Sequence, residues 1–297
     1  KDKRKKILLI TDDIRVHSGV ATIGKEIVVE TCHHFNWVQI AGAIKHPDHK
    51  KKMDISKDCG VHAGIDDASV FLYGVDGYGT SEIVRQIIQI EKPDAILLIT
   101  DPRYFTHIFN IEHEIRKNIP IAYLNIWDDY PAPMYNKAYY EACDLLMGIS
   151  KQTVNINKLV LADCDNSKRV FKYVPHGLNH EFYKPIDKLD SEFVKWKKNI
   201  LGDRDHNFVV FFNSRNIRRK QIPDTMVAFR AFLDSLPKEK AKKCLLMLHT
   251  EYVTDAGTHL GKVKEYLFDE DYYHNVKFSL QKLDTHQLNY LYNVADC

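Results

Sequence analysis

Short runs of apolar residues recur along the chain, and each ends in a polar or glycine-containing turn. In the first part of the sequence these runs lie at 7–11, 37–41, 70–73, 95–100, 121–126, 145–149 and 170–174. Stretches with the apolar spacing of helices separate several of them, at 18–32, 81–91, 107–117 and 151–161. Buried strands that alternate with amphipathic helices are typical of a parallel sheet covered by helices. The pattern therefore predicts an α/β fold.

A second series of apolar runs follows a change in composition after Pro185. Residues 186–205 are rich in charge, and new strand-like runs lie at 208–213, 244–249 and 276–280, with a helical pattern at 224–236. We therefore predict two Rossmann-like, doubly wound domains, residues 1–185 and 186–297. A complete domain of this kind needs more than three strands, so we expect the second domain to be incomplete in this sequence.

Composition and charge exclude few partners. The 297 residues are 44% hydrophobic, and 42 lysines and arginines against 40 acidic residues give a net charge of +2, which requires neither a nucleic acid nor a membrane. No apolar run approaches the length of a membrane span, so we expect no transmembrane segment. The six cysteines include no C-x-x-C pair, which favours reduced thiols and a cytoplasmic location. Small buried hydrophobic side chains are the expected role of all six.

A glycine lies in the turn 15–21, between the first predicted strand and the first predicted helix. At such a turn, the backbone N–H groups around Gly19 and the helix N-terminus favour an anion. The G-x-G-x-x-G pattern of dinucleotide-binding proteins is absent. The turn alone therefore also fits a purely structural glycine.

Four cations follow the first predicted strand of the second domain. Arg215, Arg218, Arg219 and Lys220 come directly after 208–213 and before the predicted helix. Open parallel sheets bind ligands at the carboxyl ends of their strands, and cations at a helix start are well placed to hold phosphate groups. This position favours a diphosphate site over a solvated basic turn.

Four segments, in this order and spacing, resemble the motifs of the retaining glycosyltransferases of family 4, which have GT-B architecture. The segments are Ser18-Gly19-Val20, similar to the G-G-V loop; Pro175-His176-Gly177-Leu178 with Phe182 and Pro185, similar to the interdomain P-N/H-G-V-D, F and P signature; Ser214-Arg215 with Lys220, similar to G-R and K-G; and Leu288 to Asp296, similar to L-x-x-L-Y-x-x-A-D. Two glycines of the family are replaced, by Ser18 and Gln221. The family's E-x7-E element, which orients the donor sugar, is expected beyond Cys297.

The resemblance implies a transferase that moves a hexose or pentose from a nucleoside diphosphate sugar, UDP- or GDP-linked, to an acceptor hydroxyl with retention. It implies that Arg215 and Lys220 hold the donor diphosphate and that the Gly19 and Val20 backbone caps the phosphates. His176 and Gly177 belong to its donor-binding set. Leaving-group stabilisation by fixed charge needs no metal, so we expect no metal and no cofactor besides the donor.

Asp128 follows the predicted strand 121–126, where members of the resembled family present an acceptor-side polar residue. We predict that Asp128 orients the acceptor or removes its proton. A helix cap before Pro131, by Asp128 or Asp129, fits the sequence equally well. Asp101 lies at a similar strand end and is a further candidate.

Two patterns suggest metal sites on first inspection. Asp163-Cys164-Asp165 has the D-x-D form by which the other major glycosyltransferase fold holds manganese, but it lies in a polar loop after helical sequence. Five histidines, at 33, 34, 46, 49 and 62, lack the spacing of zinc ligands on one helix face and a partner set of cysteines. Chance explains the D-x-D pattern better than a metal site does. The histidines are better explained as ordinary surface or core residues.

Other functions and acceptors stay open. A sugar-nucleotide epimerase would use the same fold and donor without an acceptor, and a regulator would bind the nucleotide sugar without catalysis. The acceptor is a saccharide, a lipid, a protein or a modified DNA base. We expect the lysine-rich segment 45–57 to be a solvated loop. Together with the cation cluster at 213–220, it resembles phage-encoded transferases that decorate such bases.

Overall fold

The computed structural model describes residues 4–202, 204 and 206–297. The chain folds as two compact units, the first ending at Gly177 and the second beginning at Leu178. The boundary predicted from the change in composition lies later in the chain, after Pro185. Each unit has its own sheet of parallel strands with helices between them, which confirms the predicted α/β class.

The described residues of the first unit form one mixed sheet and its covering helices. The strands are β1 (Lys5–Asp12), β2 (Phe35–Ala43), β3 (Lys52–Asp54), β4 (Val70–Asp76), β5 (Ala95–Ile99), β6 (Ile121–Asn125), β7 (Leu145–Gly148) and β8 (Val170–Tyr173). The helices are α1 (Gly19–Thr31), α2 (Ser56–Ala63), α3 (Ser81–Glu91), α4 (Thr106–Phe109), α5 (Glu112–Ile115), α6 (Lys137–Glu141) and α7 (Lys151–Val160).

The strand order of the first sheet is β3-β4-β2-β1-β5-β6-β7-β8, and only the short β3 is antiparallel to its neighbour. The order reverses between β1 and β5, because β2 and β4 lie on one side of β1 and the later strands on the other. In open α/β sheets such a reversal leaves a crevice at the carboxyl ends of the two strands, where ligands bind. The loops after β1 and β5 are therefore the first places to look for a site.

The central strand β1 is buried on both faces, as its continuous apolar run predicts. Leu8 and Ile10 belong to the core on one face of the sheet, and Leu9 belongs to the core on the other. All three side chains are fully buried. Burial on both faces is the reason that parallel strands read as unbroken apolar runs.

The second unit carries a smaller parallel sheet. Its described strands are β9 (Phe208–Asn213), β10 (Cys244–His249) and β11 (Val276–Ser279), in the order β11-β10-β9. Its helices are α8 (Ser191–Leu201), α9 (Ile222–Asp234), α10 (Lys238–Ala241), α11 (Leu260–Leu267) and α12 (Thr285–Val294).

After α12 the chain returns to β9. The backbone N–H of Phe211 donates to the carbonyl of Cys297, and that of Asp296 donates to the carbonyl of Val209, both at 2.8 Å. Successive residues of a strand direct their hydrogen-bonding groups to opposite sides, so β9 has β10 on one side and residues 296–297 on the other. The strand order therefore reverses at β9, which places the turn after Asn213 at a switch point.

Three predicted segments differ from the structure. Residues 186–205, expected to be a charged linker, contain α8, which begins at the capping residue Asp190 and buries Phe193 and Leu201. Residues 45–57, expected to be a solvated loop, contain β3, the start of α2 and the buried His46. Residues 107–117 form two short helices, α4 and α5, instead of one. In the first two cases the segment is rich in charged residues, so the buried residues within it were not predicted.

The six cysteines are free thiols, of which Cys164 is half-buried and Cys297 is exposed. These two are therefore not buried hydrophobic side chains, unlike Cys32, Cys59, Cys143 and Cys244. Within the part of the chain that the structure describes, no helix has the length and apolar character needed to cross a bilayer.

Candidate functional site

A carboxylate at the end of β1 organises the switch point of the first unit. The Ser18 hydroxyl donates to Asp12 at 2.7 Å, and the Tyr78 hydroxyl donates to the other oxygen of the same carboxylate at 2.5 Å. Burial, followed by the bond to Asp12, raises the pKa of Tyr78 far above its usual value, so the phenol keeps its proton. The network fixes the loop between β1 and α1 to the loop after β4.

The same loop forms the start of α1. Ser18 is the N-cap, and its hydroxyl accepts a hydrogen bond from the N–H of Ala21 at 3.0 Å. Its φ of −138° is extended, a conformation open to any residue, so a serine can stand here where the resembled family has its first glycine. Gly19 follows in the first turn with no heavy atom within 4 Å of the position that a Cβ would take. Gly19 and Val20 thus present the open N-terminus of α1.

A buried ionic cluster stabilises the other side of this loop. Asp13, 2% exposed, accepts hydrogen bonds from the Arg15 guanidinium at 2.7 Å and from His46 Nε2 at 2.9 Å. Burial raises the pKa of Asp13, but the bonds from Arg15 and His46 outweigh it and hold that pKa below the usual value. The backbone N–H of Asp48 donates to His46 Nδ1, so Nε2 carries the ring proton that Asp13 accepts. Arg15 also pairs with Asp48 at 3.1 Å.

The end of β5 carries a strained residue. Thr100 has φ +139°, a region that β-branched side chains rarely adopt, and its carbonyl accepts from the buried Tyr123 hydroxyl at 2.9 Å. The next residue, Asp101, is held by Arg103 through bonds of 3.0 and 2.8 Å. Burial raises the pKa of Asp101, but the bonds from Arg103 are stronger and lower it overall. Asp101 is therefore a paired carboxylate and a weak base.

Asp128 lies in the loop after β6, on the carboxyl edge of the same sheet. It is exposed, and its carbonyl accepts a hydrogen bond from Gln152 at 3.3 Å. Neither Asp128 nor Asp129 caps a helix, because the next helical turn starts at Met134 and its N-cap is Pro133. Asp129 instead accepts from the N–H of Tyr130 at 2.9 Å. The role of Asp128 towards an acceptor stays a prediction.

In the second unit, a buried amide holds the cationic turn. Asn216, 2% exposed, donates to the carbonyls of Glu251 and Thr258 at 3.1 and 2.7 Å and accepts from the N–H of Thr258. A Cβ on Gly257 would lie 2.3 Å from the Asn216 side-chain oxygen, so glycine is required for this close approach. The turn after β9 is therefore fixed to the loop after β10 at the switch point.

This anchoring leaves the four cations free to bind. Arg215 is exposed, and its only carboxylate neighbour among the described residues is Glu251, at 4.0 Å. Arg218 and Arg219 are exposed and Lys220 is half-buried, and none of the three pairs with a carboxylate within the described ranges. Exposed cations on a rigid turn at the carboxyl end of β9 can accept a multiply charged anion.

Gln221, which stands where the resembled family has glycine, adopts the left-handed conformation, with φ 51° and ψ 40°. Glycine adopts this conformation freely, whereas for other residues it is unfavourable in free energy. The backbone turn that ends the 3-10 helix Arg218–Lys220 and starts α9 is therefore kept despite the substitution.

The neighbouring strand ends add polar groups. His249 Nδ1 and the Ser279 hydroxyl are 3.0 Å apart, at the ends of β10 and β11. Burial lowers the pKa of His249, so the ring is neutral at neutral pH. His176 and Gly177 are both exposed, at the end of the first unit, and a Cβ on Gly177 would meet nothing within 4 Å. Their donor role stays a prediction.

The suspected metal ligands have other partners. Asp163 pairs with Lys137 at 2.7 Å, and Asp165 accepts from the N–H of Ser167 at 2.9 Å. Of the five histidines, His46 bonds to Asp13 and His49 lies 3.5 Å from Asp76. Across the described residues, no three His, Cys, Asp or Glu side chains converge as metal ligands.

Several residues of these sites were not predicted from the sequence. Asp12, Tyr78 and the Asp13–His46 pair were not singled out, although two aspartates directly after an apolar run were a visible signal. Asn216, inside the cationic turn, was not recognised as its anchor. Each depends on a partner that is distant in the sequence.

No protein-family model matches the sequence, and no curated protein matches it. The structure is similar to several solved structures. The OtsA apo structure matches with a TM-score of 0.69 and 12% identity, over 99% of this chain and 77% of that chain. Anabaena HepE in complex with UDP and glucose matches with a TM-score of 0.61 and 12% identity, over 99% of this chain and 73% of that chain.

UDP-GlcNAc 2-epimerase from Neisseria meningitidis, bound to UDP-GlcNAc, matches with a TM-score of 0.56 and 10% identity, over 98% of this chain and 76% of that chain. At identities this low, the likeness establishes the fold. It confirms the predicted GT-B fold, since both units take part in each match.

Proposed function

We propose that the protein is a glycosyltransferase that moves a hexose from a nucleoside diphosphate sugar to an acceptor hydroxyl with retention at the anomeric carbon. The cationic turn after β9 carries this proposal, because Arg215 and Lys220 lie on a rigid turn at a sheet switch point and lack strong carboxylate partners. The matching order of family 4 motifs and the GT-B fold support it.

Uridine diphosphate is our first choice of leaving group, since the similar Anabaena HepE was crystallised with UDP and glucose. As the bond between the sugar and the diphosphate breaks, negative charge grows on the bridging oxygen. Arg215 can hold two phosphate oxygens with its planar guanidinium, and Lys220 adds a point charge. Fixed charges aimed at developing charge lower the barrier without a metal ion.

The N-terminus of α1 supplies a second place for negative charge. The N–H groups of Gly19 and Val20 are in its first turn, and the Ser18 side chain is turned inward to cap the helix. We propose that this end of α1 binds an anionic part of the donor. The Asp12 network positions the loop between β1 and α1.

Asp128 is our candidate for orienting the acceptor hydroxyl or taking its proton. Asp101, the other carboxylate at a strand end, is paired with Arg103 and has a lowered pKa, so it is the poorer proton acceptor. Asp128 is exposed and has no such partner among the described residues. An Asp128→Asn enzyme should keep donor affinity and lose turnover, which separates this role from donor binding.

The proposal is tested by a donor screen followed by product analysis. A ligand that binds only the folded state raises the melting temperature, so the correct UDP- or GDP-sugar is found by thermal shift. The product is then analysed with mixed saccharide, lipid, peptide and modified-DNA acceptors. Transfer to one of them supports a transferase, an isomerised donor or free sugar indicates an epimerase, and donor binding without turnover indicates a regulator.

A further inference from the structure

A cavity lies in the second unit, apart from the cationic turn. Its volume is about 450 Å³, and it lies beside β11. None of the described residues 213–221 lines it. Its polar lining includes Tyr252, Lys264, His274 and Lys277. This volume falls in the range of small-molecule sites.

Lys264 is the unusual member of this lining. It lies on α11, and only 9% of its surface is exposed. Within the described residues no carboxylate pairs with it, and its ammonium lies 3.8 Å from the centroid of the Tyr273 ring. Burial lowers the pKa of Lys264. Lysine is among the residues least often buried without a partner.

Burial removes most of the hydration of the Lys264 side chain, and no carboxylate among the described residues compensates for it. The cation–π contact with Tyr273 offsets only part of this loss. Among the described residues, every titratable side chain that lines the cavity is a base or a tyrosine, so none of these side chains offers Lys264 an opposite charge. An anion from solution would supply the missing charge.

We propose that this cavity is a binding site for a phosphate group, either free phosphate or a small phosphate monoester, with Lys264 as its central ligand. His274 and Lys277 line the same space, where the imidazole of His274 can donate a hydrogen bond and the ammonium of Lys277 adds positive charge. Tyr252 is held by the ring of Phe278, 4.4 Å away, and walls the cavity with an aromatic face. The site is distinct from the proposed diphosphate turn and does not depend on it.

The first experiment labels lysines with an amine-reactive reagent, with and without millimolar phosphate, and reads each site by peptide mass spectrometry. We expect phosphate to reduce the labelling of Lys264 by at least about fivefold, because a charge-assisted contact both covers and protonates the amine. Lys262, exposed on the same helix, is the control and should label equally in both conditions. Equal labelling of Lys264 with and without phosphate would overturn the proposal.

The second experiment measures melting temperature in an Arg215→Ala/Lys220→Ala background, which removes the other anion site. Inorganic phosphate and glycerol 3-phosphate are titrated against this protein and against versions that also carry Lys264→Met or Lys262→Met. We expect Lys264→Met to weaken the stabilising ligand by about tenfold or more and Lys262→Met to leave it unchanged. A stronger effect of the ester identifies a phosphate monoester as the ligand.

If Lys264→Met keeps the full phosphate-dependent rise, the cavity is not the phosphate site. Should this variant fail to fold, the labelling result on the unchanged protein decides the question alone. Neither experiment uses a nucleotide sugar, so failure here leaves the proposed transferase activity intact, and failure of that activity leaves this site intact.

Discussion

Separate alanine substitutions of Arg215 and Lys220 give the sharpest prediction for the cationic turn. Neither side chain supports the fold strongly, since Arg215 is exposed with a carboxylate only at 4.0 Å and Lys220 is half-buried without one in the described ranges. Surface substitutions of this kind usually change the free energy of unfolding by less than about 0.5 kcal/mol. The variants should therefore fold normally, and any loss of turnover belongs to the site.

The expected loss in kcat/KM is roughly 2–4 kcal/mol for each variant, the size seen when one preorganised donor to a developing negative charge is removed. That is a factor of about 30 to 1,000. The loss should fall on kcat at least as much as on KM, because the bridging oxygen gains charge in the transition state. Arg215→Lys should also be poor, since an ammonium cannot form a bidentate contact.

The assay follows release of the nucleoside diphosphate from the donor found by the thermal-shift screen. Arg218→Ala and Arg219→Ala are matched controls, because both side chains are exposed on the same turn and the family pattern gives them no fixed contact. If all four variants lose turnover equally, the turn acts as a diffuse basic surface. If Arg215→Ala and Lys220→Ala turn over like the unchanged protein, the diphosphate assignment is wrong.

Three other perturbations have defined outcomes. Gln221→Gly should be at least about 1 kcal/mol more stable in urea than Gln221→Val, because a β-branched residue is strained at φ 51°; equal stabilities would contradict this. Glu91, 7% exposed, has a pKa lowered from 4.5 to about 2, since bonds from Lys52, Tyr73 and Lys6 outweigh the effect of burial. A carboxyl group with a lowered pKa stabilises the folded state above pH 4.5, and this stability is lost as the pH falls towards 2. For Glu91 it amounts to about 2 kcal/mol after allowing for solvent screening. The free energy of unfolding of Glu91→Gln should therefore depend less on pH in that window than that of the unchanged protein. Turnover should survive a chelator, and loss restored by manganese would refute metal-independent catalysis.

The sequence predicted the sheets well because parallel strands are buried on both faces. An unbroken apolar run such as 95–100 is too short for a buried helix, so its length indicates a buried strand. Helix α8 was not predicted, because charged residues dominate its composition. Phe193, Trp196 and Leu201 nevertheless have helical spacing on the side that packs into the core. Spacing carried more information there than composition did.

The candidate sites were predictable only where the chemistry is local. Arg215 and Lys220 are found by their position after a strand. The Tyr78 hydroxyl reaches Asp12 across 66 residues, and His46 reaches Asp13 across 33. No pattern along the chain specifies such pairs, because they arise only when the loops after β1, β2 and β4 meet at one sheet edge. The burial of Lys264 likewise has no local signal, because it arises from how α11 packs in the second unit.

Calorimetric titration with UDP, and with GDP in parallel, tests the central claim most directly, because it needs neither the acceptor nor the donor sugar. We predict saturable binding of one of the two nucleotides, weakened by at least about tenfold in Arg215→Ala and unchanged in Arg218→Ala. Absence of binding by both nucleotides, or equal affinity in Arg215→Ala and the unchanged protein, would contradict the assignment of the turn after β9 as the diphosphate site.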